Sequence, residues 1–255
     1  MHSSACTTRS GLLFKLSVFL TLSLNLLAFT TSAGSCRAQG YHLKASWDMG
    51  IMGSGTFIQG GNQYLIFRDK SNIPPTAGRE IKVGPDNWVQ YRWNKQAARL
   101  SDVLAATQCL WPLIATVNQG TQQEVFTTGL VMSESLLWTL NLTQAVKLMK
   151  LRSRPLVYAN GTPDDLRNNM DSRYSFPSGH SAAAFSIATS LTLAMKQMNI
   201  PAERRTIFSA AAFVTAGSIA TLRVVAGKHY PTDVLAGMLL GCGIAYLNHR
   251  LHAGF

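Results

Sequence analysis

From residue 102 to the C-terminus the chain carries five apolar segments at helical spacing, and this series decides what it can fold into. Val103–Val117, Thr127–Leu151, Ser181–Met195, Thr206–Leu222 and Val234–Leu247 are rich in aliphatic or small residues and are joined by short polar connections. Segments of that kind can bury their apolar stripes only against one another. The fold class is therefore all-α, a bundle of about five to six helices. Pro112 lies inside the first segment and is expected to kink or interrupt it.

Ahead of the bundle the pattern changes. From Tyr41 to about Leu100, glycine-rich and polar stretches surround the short apolar runs Gly53–Ile58 and Gln63–Phe67. Pro74-Pro75 and Gly84-Pro85-Asp86-Asn87 are turn signals. Residues 39–100 read as an irregular, partly β segment with two or three short strands or a hairpin. No chemistry is legible there, and residues 101–255 form the helical domain. Residues 1–38 read as an export signal: Arg9 and Lys15 precede an uncharged run, Leu16 to Cys36, that turns from Leu and Phe to Ser, Thr, Ala and Gly. Cleavage would follow Ala33 or Ala38, and the length also permits an uncleaved anchor helix. Either way the chain is expected outside the cytoplasm, in the periplasm or cell envelope. There Cys109 and Cys242 have two readings, a disulfide or two buried thiols, while Cys6 and Cys36 fall in the leader.

A formal charge of +11 points to anionic partners: nucleic acid, an acidic membrane surface, or phosphorylated small molecules. The chain has no zinc-ligand spacing, Arg-rich arm or aromatic-interleaved basic strand, which sets nucleic acid aside. An apolar content of 47% with mean hydropathy of +0.09 is low for a polytopic membrane protein. Several segments fall short of the roughly 20 apolar residues that a span needs. Glu134 interrupts one, and Gln108, Asn118 and Gln119 dilute another. Yet the small residues of Ser181–Ser190 and Ser209–Ala220 also suit packing in lipid. The balance favours a soluble exported domain over an embedded one, and nothing sets an oligomeric state.

Three stretches carry chemistry. In the first, Lys147 and Arg154 are seven residues apart, about two helical turns, so both can leave one face before Pro155 ends the helix. Arg154 offers a planar fork and Lys147 a point charge for phosphate oxygens, with Lys150 and Arg152 as solvated neighbours. In the second, Pro177-Ser178-Gly179-His180 opens an apolar helix whose first N–H groups make an anion cradle. Ser178 adds a hydroxyl donor, Gly179 lets the backbone approach an oxyanion, and His180 stands ready to protonate a departing oxygen. In the third, Arg223 is followed by His229 and Asp233, with Pro231 suited to the first helical position. A carboxylate four residues on can hold one imidazole nitrogen protonated and leave the other to attack phosphorus. Each stretch alone also has a bland reading: a basic helix end, a capped turn, an aspartate complementing a helix dipole. Together they supply the fixed cations, donors, base and acid that phosphate-ester cleavage requires.

The order Lys-x6-Arg-Pro, Pro-Ser-Gly-His, Arg-x5-His-x3-Asp resembles the type 2 phosphatidic acid phosphatase superfamily, which also includes bacterial non-specific acid phosphatases and vanadium haloperoxidases. The resemblance covers roughly Thr127 to Tyr246, with ten identities in order at the right spacing. One departure is Leu222, where the family usually has Ser before the arginine; a hydroxyl near the phosphate is lost with it. The resemblance implies that Lys147, Arg154, Ser178, Gly179 and Arg223 bind the phosphoryl oxygens. It implies His229 as nucleophile through a phosphohistidine, Asp233 as its orienting partner and His180 as acid and then base. No cofactor or metal is implied, only phosphate or vanadate as ligands of the cradle, and Asp164-Asp165 with Asp171 reads as a solvated loop. The expected function is a metal-independent phosphatase for phosphate monoesters, lipid phosphates such as phosphatidate or prenyl pyrophosphates among them. The alternatives are a vanadate-dependent haloperoxidase and a non-catalytic phosphate or lipid-headgroup binder.

Overall fold

The computed structural model describes residues 37–38, 41–42, 45–68, 84–89, 91–112, 121–149 and 152–253. Residues 1–36 of the export-signal reading, with Cys6 and Cys36, lie outside the described residues, as does Pro74-Pro75. Among the described residues the chain is mostly helical. It forms α1 (Ala45–Arg68), α2 (Lys95–Gln108), α3 (Gln122–Met149), the single turn α4 (Asp164–Arg167), α5 (Gly179–Gln197), α6 (Ala202–Val225) and α7 (Pro231–Ala253). Short 3-10 turns occupy Gly84–Trp88, Pro155–Tyr158 and Met170–Arg173. The five segments expected from periodicity fall in α2, α3, α5, α6 and α7, with α2 taking only Val103–Gln108 of the first, whose residues 113–117 lie outside the described residues. α2 starts earlier than its apolar run because Asn94 caps it, accepting the Ala97 N–H at 3.0 Å, so the helix runs across position 100.

Among the described residues the β structure is one antiparallel pair, Arg37–Ala38 with Tyr41–His42. The runs read as strands, Gly53–Ile58 and Gln63–Phe67, are instead parts of α1. Glycine is a poor helix former, and α1 is held by its neighbour rather than by its own propensity. Gly55 sits flush against Leu137 of α3, Asn141 donates to the Gly55 carbonyl at 2.9 Å, and Asn62 donates to the Asn141 carbonyl at 3.3 Å.

α5 is the central helix and packs against α3, α6 and α7. It is apolar almost all round, as a core helix must be, with Ala182, Ala188, Leu191, Ala194 and Met195 fully buried. Its contact with α7 is a close one. A Cβ at Gly237 or Gly241 would collide with the carbonyl oxygen of Ser178 or Ala182. That approach brings two chemical stretches side by side: Ser178 N–H donates to the Asp233 carbonyl at 2.9 Å, and Ser181 Oγ to the Val234 carbonyl at 2.8 Å.

Two details bear on readings that the sequence left open. Cys109 and Cys242 are free thiols, with burial pushing the Cys109 thiol up to about 11. α6 and α7 are each long and apolar enough to cross a membrane by length and composition, and little of either is buried. Val214, Leu239, Leu247 and Leu251 stand out from them into the surroundings.

Candidate active site

Lys147 leaves the last turn of α3, but Arg154 does not share a helix face with it. α3 ends at Met149, well before Pro155, and Arg154 lies in extended chain with φ −70° and ψ 152°. Its backbone is fixed by donation to the Ser172 carbonyl at 2.8 Å, and Pro155 opens a 3-10 turn rather than ending a helix. The two cations converge from separate elements. Arg154 Nη1 is 2.7 Å from Asp171, which is solvated as expected and is also a partner of the site. Arg154 Nε is buried without a hydrogen-bond acceptor.

Arg223 repeats that arrangement from the end of α6. Its Nη1 donates to Asp102 at 2.9 Å and Ser101 at 3.1 Å, and its Nε is also buried with no acceptor. Ser101 thus brings a hydroxyl to Arg223, while Leu222 seats α6 on Ala97 and Ala98 of α2. Beyond α6 the chain reverses at Gly227, whose φ of +72° and contact with the Arg92 carbonyl leave no room for a side chain. The reversal delivers Lys228 and His229 beside Arg223.

Ser178 caps α5, its Oγ accepting the Ser181 N–H at 3.4 Å. Gly179 has ordinary backbone geometry. A Cβ there would stand 3.8 Å from Lys147 Nζ, so glycine keeps open the gap between the helix N-terminus and the lysine. Helix N–H groups facing a lysine across such a gap suit an anion. His180 Nε2 lies 2.9 Å from Asp102.

His229 is buried, and its Nδ1 is 2.7 Å from the Ser175 carbonyl but 3.7 Å from Asp233. This corrects the expected direct hold. A carbonyl accepts only, so Nδ1 carries the proton and donates to Ser175, leaving the Nε2 lone pair free for attack. Asp233 acts one step out. Its Oδ2 accepts from Ser175 Oγ at 2.6 Å and from the Tyr230 N–H at 2.8 Å, and its Oδ1 from Arg152 at 2.6 Å. Arg152 is no solvated neighbour: it joins Asp233 to the buried Asp86 at 2.8 Å and lies 4.0 Å over the Tyr230 ring. Asp86 in turn accepts from the Thr232 N–H and hydroxyl at 3.0 and 2.7 Å. The Gly84–Asn87 turn signal therefore hid a structural carboxylate.

Electrostatics follow from burial of like charges. Burial first, then Arg154, push the Lys147 ammonium down to about 8. Burial, Arg223 and Arg154 push Lys228 down to about 7. Burial opposes charging of His229 and holds its pKa well below the usual value, while Asp233 pulls the other way. Asp102 would be raised by burial, but His180 and Arg223 more than offset this and hold it well below the carboxylate range. A dianion entering the gap would relieve this crowding of cations. Lys228 keeps its charge below about pH 7 and loses it as pH rises through that value, with Lys147 following near 8. Free-enzyme kcat/KM for a phosphate monoester should therefore fall from pH 7 to 9, and Lys228→Arg should carry the alkaline limb upward because arginine stays charged. A limb unmoved in Lys228→Arg would assign it elsewhere.

A carboxylate cluster that the sequence did not reveal is also present. Asp48, Glu134 and His252 meet in the interior, His252 Nε2 lying 2.7 Å from Glu134 and Nδ1 3.8 Å from Asp48. It ties α1 to α3 and α7, and at 1.5 Å per residue it is about 28 Å along α7 from Asp233.

All eight residues expected from the sequence thus lie on elements that meet around one cationic gap, joined by Asp86, Ser101, Asp102, Arg152, Asp171, Ser175 and Lys228. No curated protein and no solved structure matches the chain. Residues 128–254 match the family model of the PAP2 superfamily, and through this helical half the chain belongs to that superfamily.

Proposed function

We propose that the protein is a metal-independent phosphatase that hydrolyses phosphate monoesters through a phosphohistidine on His229. Membership of the superfamily carries phosphatase-type activity. The observation that bears most weight here is the pair of buried guanidinium groups, Arg154 and Arg223, each tied through Nη1 and each with Nε lacking an acceptor. Buried donors without acceptors are costly, and the penalty is relieved when an anion binds. Lys147, Lys228 and the N-terminus of α5 complete the grip, so positive charge that another enzyme draws from a metal is supplied by side chains.

In the first step His229 Nε2 attacks phosphorus as the P–O bond to the alcohol breaks. His180 passes a proton to the departing oxygen. In the second, water attacks phosphorus, His180 takes its proton, the P–N bond breaks and inorganic phosphate leaves. Ser175 holds His229 in the tautomer that attack needs, and Asp233 stabilises the positive ring that forms, acting through Ser175 and across 3.7 Å.

Substrates with an apolar tail, such as phosphatidate or a prenyl phosphate, are favoured by the bare outer faces of α6 and α7 and by Met149, exposed two residues from Lys147. Purified protein should hydrolyse p-nitrophenyl phosphate at an unchanged rate in excess chelator, and should cleave phosphatidate in mixed micelles faster than glycerol phosphate. Turnover only with an added divalent ion would refute the metal-independent mechanism. Equal rates on the two glycerol esters would remove the lipid assignment alone.

A further inference from the structure

We infer that Asp102 is the positioning carboxylate of His180, so that the site holds two imidazole–carboxylate partnerships, one serving attack and the other serving departure. The inference rests on the phosphatase reading above. Asp102 lies outside the three motif stretches, on the buried Ala98–Ser101–Asp102–Ala105 face of α2, and its exposure is 4%. One oxygen, Oδ1, serves two groups: Arg223 Nη1 donates to it at 2.9 Å, and His180 Nε2 approaches it at 2.9 Å as a charge contact, off the line of a ring N–H hydrogen bond. An anion placed beside a phosphate-binding arginine weakens the very field that draws substrate, so its presence calls for an offsetting benefit.

His180 identifies that benefit. As an acid it must hold a proton, yet it is hemmed by burial and by Arg223 and Lys228, which push it down to about 3 in the empty site. Two anions act against that push: the bound phosphate, present only during turnover, and Asp102, present always. During cleavage the protonated ring gives one proton to the leaving oxygen as the P–O bond breaks. It keeps the other on Nε2 toward Asp102, which is not itself protonated. Asp102 therefore acts on the leaving group only through His180. Arg223 alone does not demand the carboxylate, since Ser101 Oγ already accepts from the same Nη1 at 3.1 Å.

The test compares leaving groups. Asp102→Asn keeps an oxygen for Arg223 but removes the charge. It should lower kcat on an alkyl phosphate by about 100-fold or more, the scale of general acid catalysis, and on p-nitrophenyl phosphate by less than about tenfold, because nitrophenolate departs without help. Inhibition by inorganic phosphate should stay within about threefold of wild type, and Asp102→Asn in a His180→Ala background should add little to the alkyl loss, since both remove one function. Ser101→Ala should give the opposite pattern, weaker phosphate inhibition with an unchanged leaving-group ratio. Equal loss on both substrates with weakened phosphate inhibition would show that Asp102 serves Arg223 alone and overturn the inference. Should Asp102→Asn not fold, Asp102→Ser decides the matter: a loss concentrated on the alkyl phosphate, as in His180→Ala, supports the pairing, and an unchanged leaving-group ratio refutes it. Wild-type protein inactive on both esters would overturn the phosphatase reading itself, a result distinct from any of these.

Discussion

Replacing His229 with alanine should abolish turnover of p-nitrophenyl phosphate, a loss of at least about 10⁴-fold, the scale seen when a nucleophile is removed from a site whose parts act as a unit. No other group stands where the His229 ring does. Both imidazole nitrogens are assigned, Nδ1–H to the Ser175 carbonyl and Nε2 to phosphorus, and alanine supplies neither. The fold should survive. Deletion of this ring leaves a cavity and one buried carbonyl without its donor, together costing about 2–4 kcal/mol. Asp233 keeps Arg152, Ser175 and the Tyr230 N–H, so the start of α7 stays anchored. Phosphate binding should persist because all four cations remain. Wild-type protein quenched during turnover of a ³²P-labelled monoester should carry acid-labile, alkali-stable label, and His229→Ala should carry none. Residual activity above about 1% of wild type would assign the nucleophile elsewhere, since losing it costs far more than a hundredfold.

The three motif stretches were legible because phosphate chemistry restricts residue type and spacing over short distances: Pro177 to His180 is contiguous, and Arg223, His229 and Asp233 span barely three turns. The supporting residues were not, because their partners are far away in sequence. Asp102 precedes its partner Arg223 by 121 positions, and Asp86 precedes Arg152 by 66. One signal was available. Ala97, Ala98, Ser101 and Ala105 form the small-residue face of α2, and a lone aspartate on such a face is out of place unless it is paired. Arg152 looks solvated in the sequence because it sits in a basic cluster after a helix, and only the fold shows that the chain turns inward to pair with Tyr174. The helical bundle followed from apolar spacing, whereas α1 did not: its glycines obscure the helical pattern, and the contact at Leu137 that stabilises it lies on another element.

The other large effect should come from a residue with no chemistry, Gly241. The site exists because α7 lies against α5 closely enough for Ser178 to bond the Asp233 carbonyl, and small residues on the facing stripe, Gly237, Gly241 and Ala245, permit that approach. A Cβ at 241 meets the Ala182 carbonyl and the Ser186 N–H, both backbone in the N-terminal half of α5, so neither can swing aside as a flexible side chain would. Gly241→Leu must therefore push the helices apart. The overpacking should cost about 1–3 kcal/mol or more, read as a lowered midpoint in urea, with helix content largely kept. Activity should suffer more than stability. His229 and Asp233 ride on the start of α7 while Ser178 and His180 ride on the start of α5, so separation opens the distance between nucleophile and cradle. A displacement near 1 Å is enough for about a hundredfold loss in kcat. Gly243 is the control: it faces open space two residues away, and Gly243→Ala should leave kcat unchanged and stabilise the helix by about 0.5–1 kcal/mol through reduced backbone entropy. If Gly241→Leu kept wild-type kcat and midpoint, close packing of α5 on α7 would not be what aligns the site. A loss equal in both variants would point to helix flexibility rather than to the contact.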